Sequence, residues 1–364
     1  MPPKVGVVMV NYNNYAKYFE DLFFSLKKSQ YPNWEIVFID NASTDGSVDY
    51  LKEKFAPQFP NLTIIKVDKN SGFATGNNIG LKYLQDKDFD YAYLLNLDTT
   101  VAPDFLERAL AKAGDDVGSV QSLILLHPSV AKAGAAMLSN TLGNAIHYLG
   151  FGYCYGYGWE KEKWEKYLVD WRVRDPELNI AYGSGAGILL NMRALRETGF
   201  FDDIYFMYHE DLDLGWRLRL AGYKNILAPE SVIYHKYEFS KSIKKYYWME
   251  RNRFITMMKN YSGLTLILIF PALVIMEFGL LLFSFRSGWW REKLRVYEYF
   301  LHPKRWRVIA SGRHRAQKLR KASDRQIAKH FVGEILFQDM DSPLLTKIAN
   351  PIFNLYWKII QRLI

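Results

Sequence analysis

The sequence has one cysteine, Cys154, so no internal disulfide and no cysteine-built zinc site can form, which fits a reducing compartment. No G-x-G-x-x-G follows the first apolar run, so an ordinary dinucleotide-binding fold is unsupported. The glycine- and lysine-rich phosphate loop that a nucleotidyltransferase needs there is missing as well. Signal-peptide features are absent: Val5 to Val10 is too short an apolar run, and no small-residue cleavage site follows it. No internal repeat or low-complexity segment stands out. Negative charge is scarce towards the end: of the net +9 over 364 residues, most lies after residue 235. Runs such as Lys304-Arg305-Trp306-Arg307 and Arg313-His314-Arg315 point to an anionic partner, phospholipid or nucleic acid.

What is present is apolar and patterned. A hydrophobic share of 49% is ample for a packed core. VGVVMV (Val5 to Val10), EIVFID (Glu35 to Asp40), LTIIKV (Leu62 to Val67) and YAYLLNLD (Tyr91 to Asp98) read as strands buried on both faces. Helical segments are expected between them at Tyr15 to Lys28, Ser47 to Phe55 and Gly76 to Leu84. That alternation predicts a mostly parallel α/β sheet with right-handed crossovers. Ligands of such sheets bind beyond the carboxyl ends of the strands.

The polar residues gather at those ends. They are Asn11 and Asn13 after strand one, and Asp40 to Ser47 after strand two. Asn70 to Asn78, with Gly72 and Gly76, follows strand three, and Asn96-Leu97-Asp98 closes strand four. A second block holds the cluster Gly183-Ser184-Gly185-Ala186-Gly187 and then MYHEDLDLGWRLRLAGY. As a helix, the latter puts Asp211, Leu214 and Leu218 on one inward face. Asp213 and Arg217 then form an i, i+4 pair expected on the solvent side.

The tail, from Lys236, contains GLTLILIFPALVIMEFGLLLFSF (Gly263 to Phe285), long enough for a bilayer. Pro271, Glu277 and basic residues on both flanks favour a helix lying in one leaflet, kinked or re-entrant, over a span or a buried soluble helix. Trp289, Trp290 and Trp306 are typical of a membrane interface.

Five stretches together resemble the family 2 glycosyltransferases, which have the GT-A fold, and in particular their rhamnosyltransferase-like members. They are VNYNNYAKYFEDLFFSL, FIDNASTDGS, NSGFATGNNIG, LLNLDTTVAPDFL and MYHEDLDLGWRLRLAGY. The resemblance implies a GT-A (Rossmann-like) domain over 1–235, with a helical, basic, membrane-associating region over 236–364. It implies an inverting transfer from a nucleoside diphosphate sugar, dTDP-L-rhamnose or a UDP-hexose, to a glycan or lipid-linked acceptor. The setting would be bacterial surface polysaccharide assembly at the cytoplasmic face of the membrane. An anionic membrane, with no nucleic acid, is then the partner of the basic tail.

The resemblance also distributes roles. Asp98 matches the last aspartate of a D-x-D metal motif and would hold Mg²⁺ or Mn²⁺, with His235 as a second ligand. Asn96 stands where the motif has its first aspartate, and an amide carries no charge. Asp40 would recognise the base, with Asn11, Asn13, Gly72, Asn77, Asn78, Asn96 and Gly185 around the nucleotide sugar. Asp211 matches the catalytic base, with Glu210 and Trp216 on the acceptor. The aromatic-rich stretch Tyr148 to Trp171 would line an acceptor groove. The residues alone allow other readings: Asp98 as a strand-to-helix cap, Asp40 as an Asx-turn acid, Asn77 and Asn78 as helix caps, and His235 as a core histidine. The competing reading of the whole chain is a membrane- or nucleic-acid-binding scaffold.

Overall fold

The structure is a computed structural model that describes residues 1–13, 16–130, 137–237, 243–336 and 345–364. Tyr15, at the expected start of the first helix, lies outside the described residues. The chain begins β1 (Val5–Asn11), α1 (Ala16–Leu26), β2 (Trp34–Asp40), α2 (Ser47–Lys54), β3 (Leu62–Lys66), α3 (Gly72–Asp86) and β4 (Tyr91–Leu95). It continues with β5 (Thr99–Val101), α4 (Phe105–Leu110), β6 (Val117–Leu126), β7 (Ser139–Thr141), β8 (Asn144–His147), β9 (Gly152–Cys154) and α5 (Lys161–Arg174). Then come β10 (Gly187–Asn191), α6 (Met192–Thr198), α7 (Glu210–Leu220) and β11 (Lys224–His235). The tail is α8 (Lys244–Asn260), α9 (Gly263–Arg286), α10 (Trp290–Leu301), α11 (Pro303–Lys318), α12 (Asp324–Ala328), β12 (Phe331–Val332) and α13 (Asn350–Leu363).

The central sheet runs β3-β2-β1-β4-β10-β6-β11-β5, with β7 on β6. Its first four strands are parallel, as expected. β10 inserts antiparallel between β4 and β6, and β5 is antiparallel to β11. The continuous apolar runs have the anticipated reason: alternate residues of β1 serve two cores. Val5, Val7 and Met9 pack on the side of Phe19 and Phe23, and Val8 on the side of Leu81 and Leu84. Truncating a fully buried Phe such as Phe19 to Ala would cost roughly 3–5 kcal/mol.

Two boundaries differ from expectation and both bear on the site. β4 ends at Leu95, so Asn96 to Asp98 form the turn into β5 rather than a strand end. The glycine-rich stretch after β3 is mostly helix, because α3 opens at Gly72. Gly72 has φ +84°, and a Cβ there would meet the Phe206 carbonyl oxygen at 2.2 Å. Glycine is therefore needed at this turn by its backbone and by the close packing against Phe206.

The tail shares cores with what precedes it. Ile255 of α8 packs with Leu214 and Leu218 of α7. Met257, Ile269, Ala272, Phe353 and Trp357 pack with Tyr148, Tyr182, Leu212 and Trp216. α9 runs unbroken through Pro271, which is exposed. By length and composition α9 is the one helix among the described residues able to cross a membrane. Most of it is not buried, which overturns the soluble-core reading of this segment.

Candidate active site

The loop between β4 and β5 carries Asp98, and the end of β11 carries His235. The antiparallel pairing of His235 with Thr99 sets them side by side, and Lys236 N–H donates to the Asp98 carbonyl at 2.8 Å. His235 Nε2 lies 3.2 Å from Asp98 Oδ1. That oxygen is buried and has no hydrogen-bond partner. His235 Nδ1 lies 3.0 Å from Asn140 Oδ1. A ring nitrogen and a carboxylate oxygen this close present two ligand atoms of the kind a divalent cation takes. Adjacent ligands of an octahedral Mg²⁺, each at about 2.1 Å, stand roughly 3 Å apart. The pair fits an imidazole-carboxylate half of a divalent cation site. Among the described residues no third His, Cys, Asp or Glu joins them, so the remaining ligands would be amide, phosphate or water oxygens. The Asn96 side chain is half-buried and makes no hydrogen bond to the described residues, so its amide oxygen is available.

The glycine cluster joins this pair to the acids of α7. Asn96 N–H donates to the Ala186 carbonyl at 3.1 Å, and the neighbouring Gly185 N–H donates to Asp211 Oδ2 at 3.3 Å. Gly185 fits closely, since a Cβ would lie 3.1 Å from the Phe73 ring and the ring would have to give by a few tenths of an ångström. Asp211 Oδ1 accepts from Leu212 N–H at 2.8 Å. Glu210 is buried and its Oε2 has no partner. Burial pushes Asp211 up to about 6. Burial, then the neighbouring Asp211 charge, pushes Glu210 well above the carboxylate range. Both acids ride on a strained turn: Tyr208 and His209 have φ +65° and +70°. Asn252, from α8, holds that turn by donating to the Met207 and Tyr208 carbonyls at 2.9 and 2.7 Å.

At the β1 and β2 ends, Asp40 is buried and its Oδ1 accepts from Ser43 N–H at 3.2 Å and from Asn11 Nδ2 at 3.4 Å. Oδ2 has no hydrogen bond to the described residues, which leaves an acceptor for a donor such as a pyrimidine N3–H. Asn13 stands at the rim, accepting from Thr44 N–H at 2.8 Å.

Several expected contacts are corrected. Asn11 is fully buried, with its amide on Asp40, Ser43 and Ser47, so it braces the loop beneath the base position. Asn77 is buried and donates to Phe73 O. Asn78 ties α3 to Phe201 through both ends of its amide. Trp216 is 0% exposed between Tyr261 and Phe331, so it is a core residue and touches no acceptor. Asp213 and Arg217 do pair, at 2.8 Å, but both are buried. α7 has no solvent face, because α8, α11 and α12 enclose it. Tyr148 is buried against Trp357, whereas Tyr157 stands 5.9 Å from Tyr237, whose ring is 5.4 Å from His235. Asn140 and Asn252 escaped the sequence reading. Nothing in their neighbourhoods signals a role, since each acts across a distance of about a hundred or forty-five residues.

Residues 6–137 match the family described as Glycosyl transferase family 2. The N-acetylglucosaminyl-diphospho-decaprenol L-rhamnosyltransferase of Mycobacterium tuberculosis is 25% identical over 247 aligned positions, covering 65% of this chain and 77% of that protein. Residues 6–137 thus form a family 2 glycosyltransferase segment. A solved mannosyltransferase from Pyrobaculum calidifontis, in complex with GDP-Man and Mn²⁺, superposes on the glycosyltransferase with a TM-score of 0.52 at 15% identity, over 87% of this chain and 86% of that one. GalNAc-T7 with UDP, GalNAc and Mn²⁺ gives 0.52 at 15% identity, over 70% and 48%. At such identity these two speak for the fold alone, and the fold of the glycosyltransferase is GT-A-like.

Proposed function

We propose that the enzyme transfers a sugar, with inversion, from a dTDP- or UDP-linked donor to a glycan or lipid-linked acceptor at the cytoplasmic membrane face. L-rhamnose is the favoured sugar and surface polysaccharide assembly the setting. The observation that carries this reading is the Gly185-Ala186 loop. It touches Asp211 on one side and the Asn96 turn, with Asp98, on the other. Consecutive residues of one loop thus tie the acid to the turn that carries Asp98, which supports an acid and a cation acting on one bound donor.

Asp98 and His235 would hold Mg²⁺ or Mn²⁺, with Asn96 as an uncharged neighbour. When bound, the ion neutralises charge on the departing diphosphate. Asp40 accepts from the base, braced by Asn11. Asp211 takes the acceptor hydroxyl proton, and its position near 6 leaves it ionised yet basic at neutral pH. Glu210, its carboxyl raised by burial and by the Asp211 charge, would meet the acceptor through its unpartnered Oε2. Tyr157 and Tyr237 would offer ring faces to the acceptor sugar. Residues 1–235 would be catalytic and the tail membrane-associating. A donor panel scored for nucleoside diphosphate release with Mg²⁺ or Mn²⁺ tests this. Release with dTDP-rhamnose or a UDP-sugar is expected; no release from any donor would overturn it.

A further inference from the structure

α9 and α13 lie over one core, and each leaves an apolar face outward. On α9, Thr265, Ile269, Ala272 and Met276 are buried, while Leu264, Ile267, Phe270, Val274, Phe278 and Leu282 are exposed. On α13, Phe353, Trp357 and Ile360 are buried, while Ile352, Leu355, Ile359 and Leu363 are exposed. Both sets step by three or four residues, so each marks one helix face. The helices touch along their sides, where Tyr356 Oη donates to the Leu268 carbonyl. Two neighbouring helices that bury one side in the same core turn their other sides the same way. The result is a contiguous apolar surface of a kind soluble monomers rarely leave uncovered.

We infer that α9 and α13 together form a two-helix platform that lies in one leaflet of an anionic phospholipid membrane, with neither helix crossing it. This rests on the membrane-facing reading above and extends it to α13, which carries no acidic residue. Three observations select this occupant. The first is charge: residues 263–364 hold 17 Lys and Arg against seven Asp and Glu. Two copies pressed together through this region would repel, whereas anionic headgroups complement it. The second is that α9 buries side chains in the protein near both of its ends, Thr265 and Ser284. The third is Glu277, which binds buried Arg253 of α8 and buried Lys293 of α10. A spanning α9 would carry that carboxylate into hydrocarbon and leave Glu250 alone to serve both cations.

The test uses full-length protein and vesicles of phosphatidylglycerol and phosphatidylcholine in a flotation assay. Wild type should float with the vesicles. Leu355→Glu with Ile359→Glu on α13, and Ile267→Glu with Val274→Glu on α9, should each lower partitioning on the order of 10-fold or more. Where an acidic pair fails to fold, the Ser pair at the same sites is read instead. Binding by the α13 pair equal to wild type overturns the platform. So does a wild type that ignores vesicles and forms a dimer which the α13 pair splits. Cysteine reporters at exposed Gly263 and Ser287 should react from one side of reconstituted vesicles only, and opposite sides would establish a span. None of these readouts needs turnover. A protein that floats, loses flotation in both variants and releases no nucleotide upholds the platform while sinking the catalytic reading.

Discussion

The buried acids of this glycosyltransferase fall into two regions with opposite treatment. Between α7, α8, α9 and α10 each acid has cations. Asp213 meets Arg217 at 2.8 Å and Lys259 at 3.0 Å, and Glu250 meets Arg253 and Lys293. There the cations outweigh burial, holding Asp213 far below the carboxylate range and Glu250 down to about 2. Two and three residues before Asp213 in the chain, Asp211 and Glu210 have no Lys or Arg partner among the described residues, and both are pushed up. Asp98 has His235 as its one side-chain partner among the described residues. Asp213 is the most deeply buried of these acids and yet the most depressed, so the cations and not the depth of burial decide the outcome. Region one is complete as it stands. Region two has carboxylates without Lys or Arg, the pattern expected of a functional site.

If that contrast holds, the largest effect should come from the completed region. Asp213→Asn leaves buried Arg217 without a carboxylate and Lys259 with Asp202 alone, and breaking such a buried pair costs roughly 3–5 kcal/mol. Urea denaturation at pH 7 should show that loss. The sign with pH follows: Asp213 is depressed, so its stabilisation is present above the unfolded carboxyl range near 4 and is lost as pH falls through it. Asp211→Asn should do the reverse. Turnover should drop about 10²-fold or more while donor binding survives. Its folded carboxyl is raised, so ionising it opposes folding above about pH 6, and the Asn variant should melt no lower than wild type at pH 8. A lower melting point would move Asp211 into the structural region, and near-normal turnover would pass the base role to Glu210. In wild type, log kcat should rise with unit slope and level off near pH 6; a flat profile from pH 5 to 8 would detach Asp211 from proton transfer.

This contrast also explains what could be read from sequence. β1 to β4 were legible because strands buried on both faces leave continuous apolar runs, and the apolar faces of Val7 and Val8 require the two cores seen. Asp40, Asp98 and His235 stood out as candidates because each closes an apolar segment with a polar side chain, and Asp211 because it shares the face of Leu214 and Leu218 and matches the family's acid pair. The antiparallel insertion of β10 was not, since periodicity reports that a strand exists and says nothing of its neighbours. Trp216 and the Asp213–Arg217 pair were misplaced for a single reason. An amphipathic reading assumes a solvent face, and α7 has tail helices on the side where water was expected. Partners such as Lys259 and Asn140 come from distant segments and leave no mark near the residues they serve.

Asn140 tests the unfilled region at a smaller scale. It holds the His235 ring by Nδ1, so Asn140→Ala should weaken Mn²⁺ binding about 10–100-fold by titration calorimetry, the range seen when a ligand's supporting hydrogen bond is removed. Unchanged affinity would mean that the β11 backbone alone orients the ring.

Asn96→Asp makes the last and smallest test, and it adds to the unfilled region rather than removing from it. The wild-type turn offers Asp98 Oδ1 without a partner and an Asn96 amide with no protein hydrogen bond. A second carboxylate beside the first repels it while no cation is present, and attracts one when it is. Without metal the variant should therefore melt below wild type, and with Mn²⁺ it should recover, binding the ion several-fold to about 10-fold more tightly, about 1.4 kcal/mol at the upper end. The two effects must appear together, since both arise from uncompensated charge at one point. A variant that loses stability without tighter binding would put Asn96 outside the ligand set, facing the ribose or a water. Tighter binding with no loss in the metal-free protein would mean that Asp98 already has a cation near it, and the contrast between the two regions would end there.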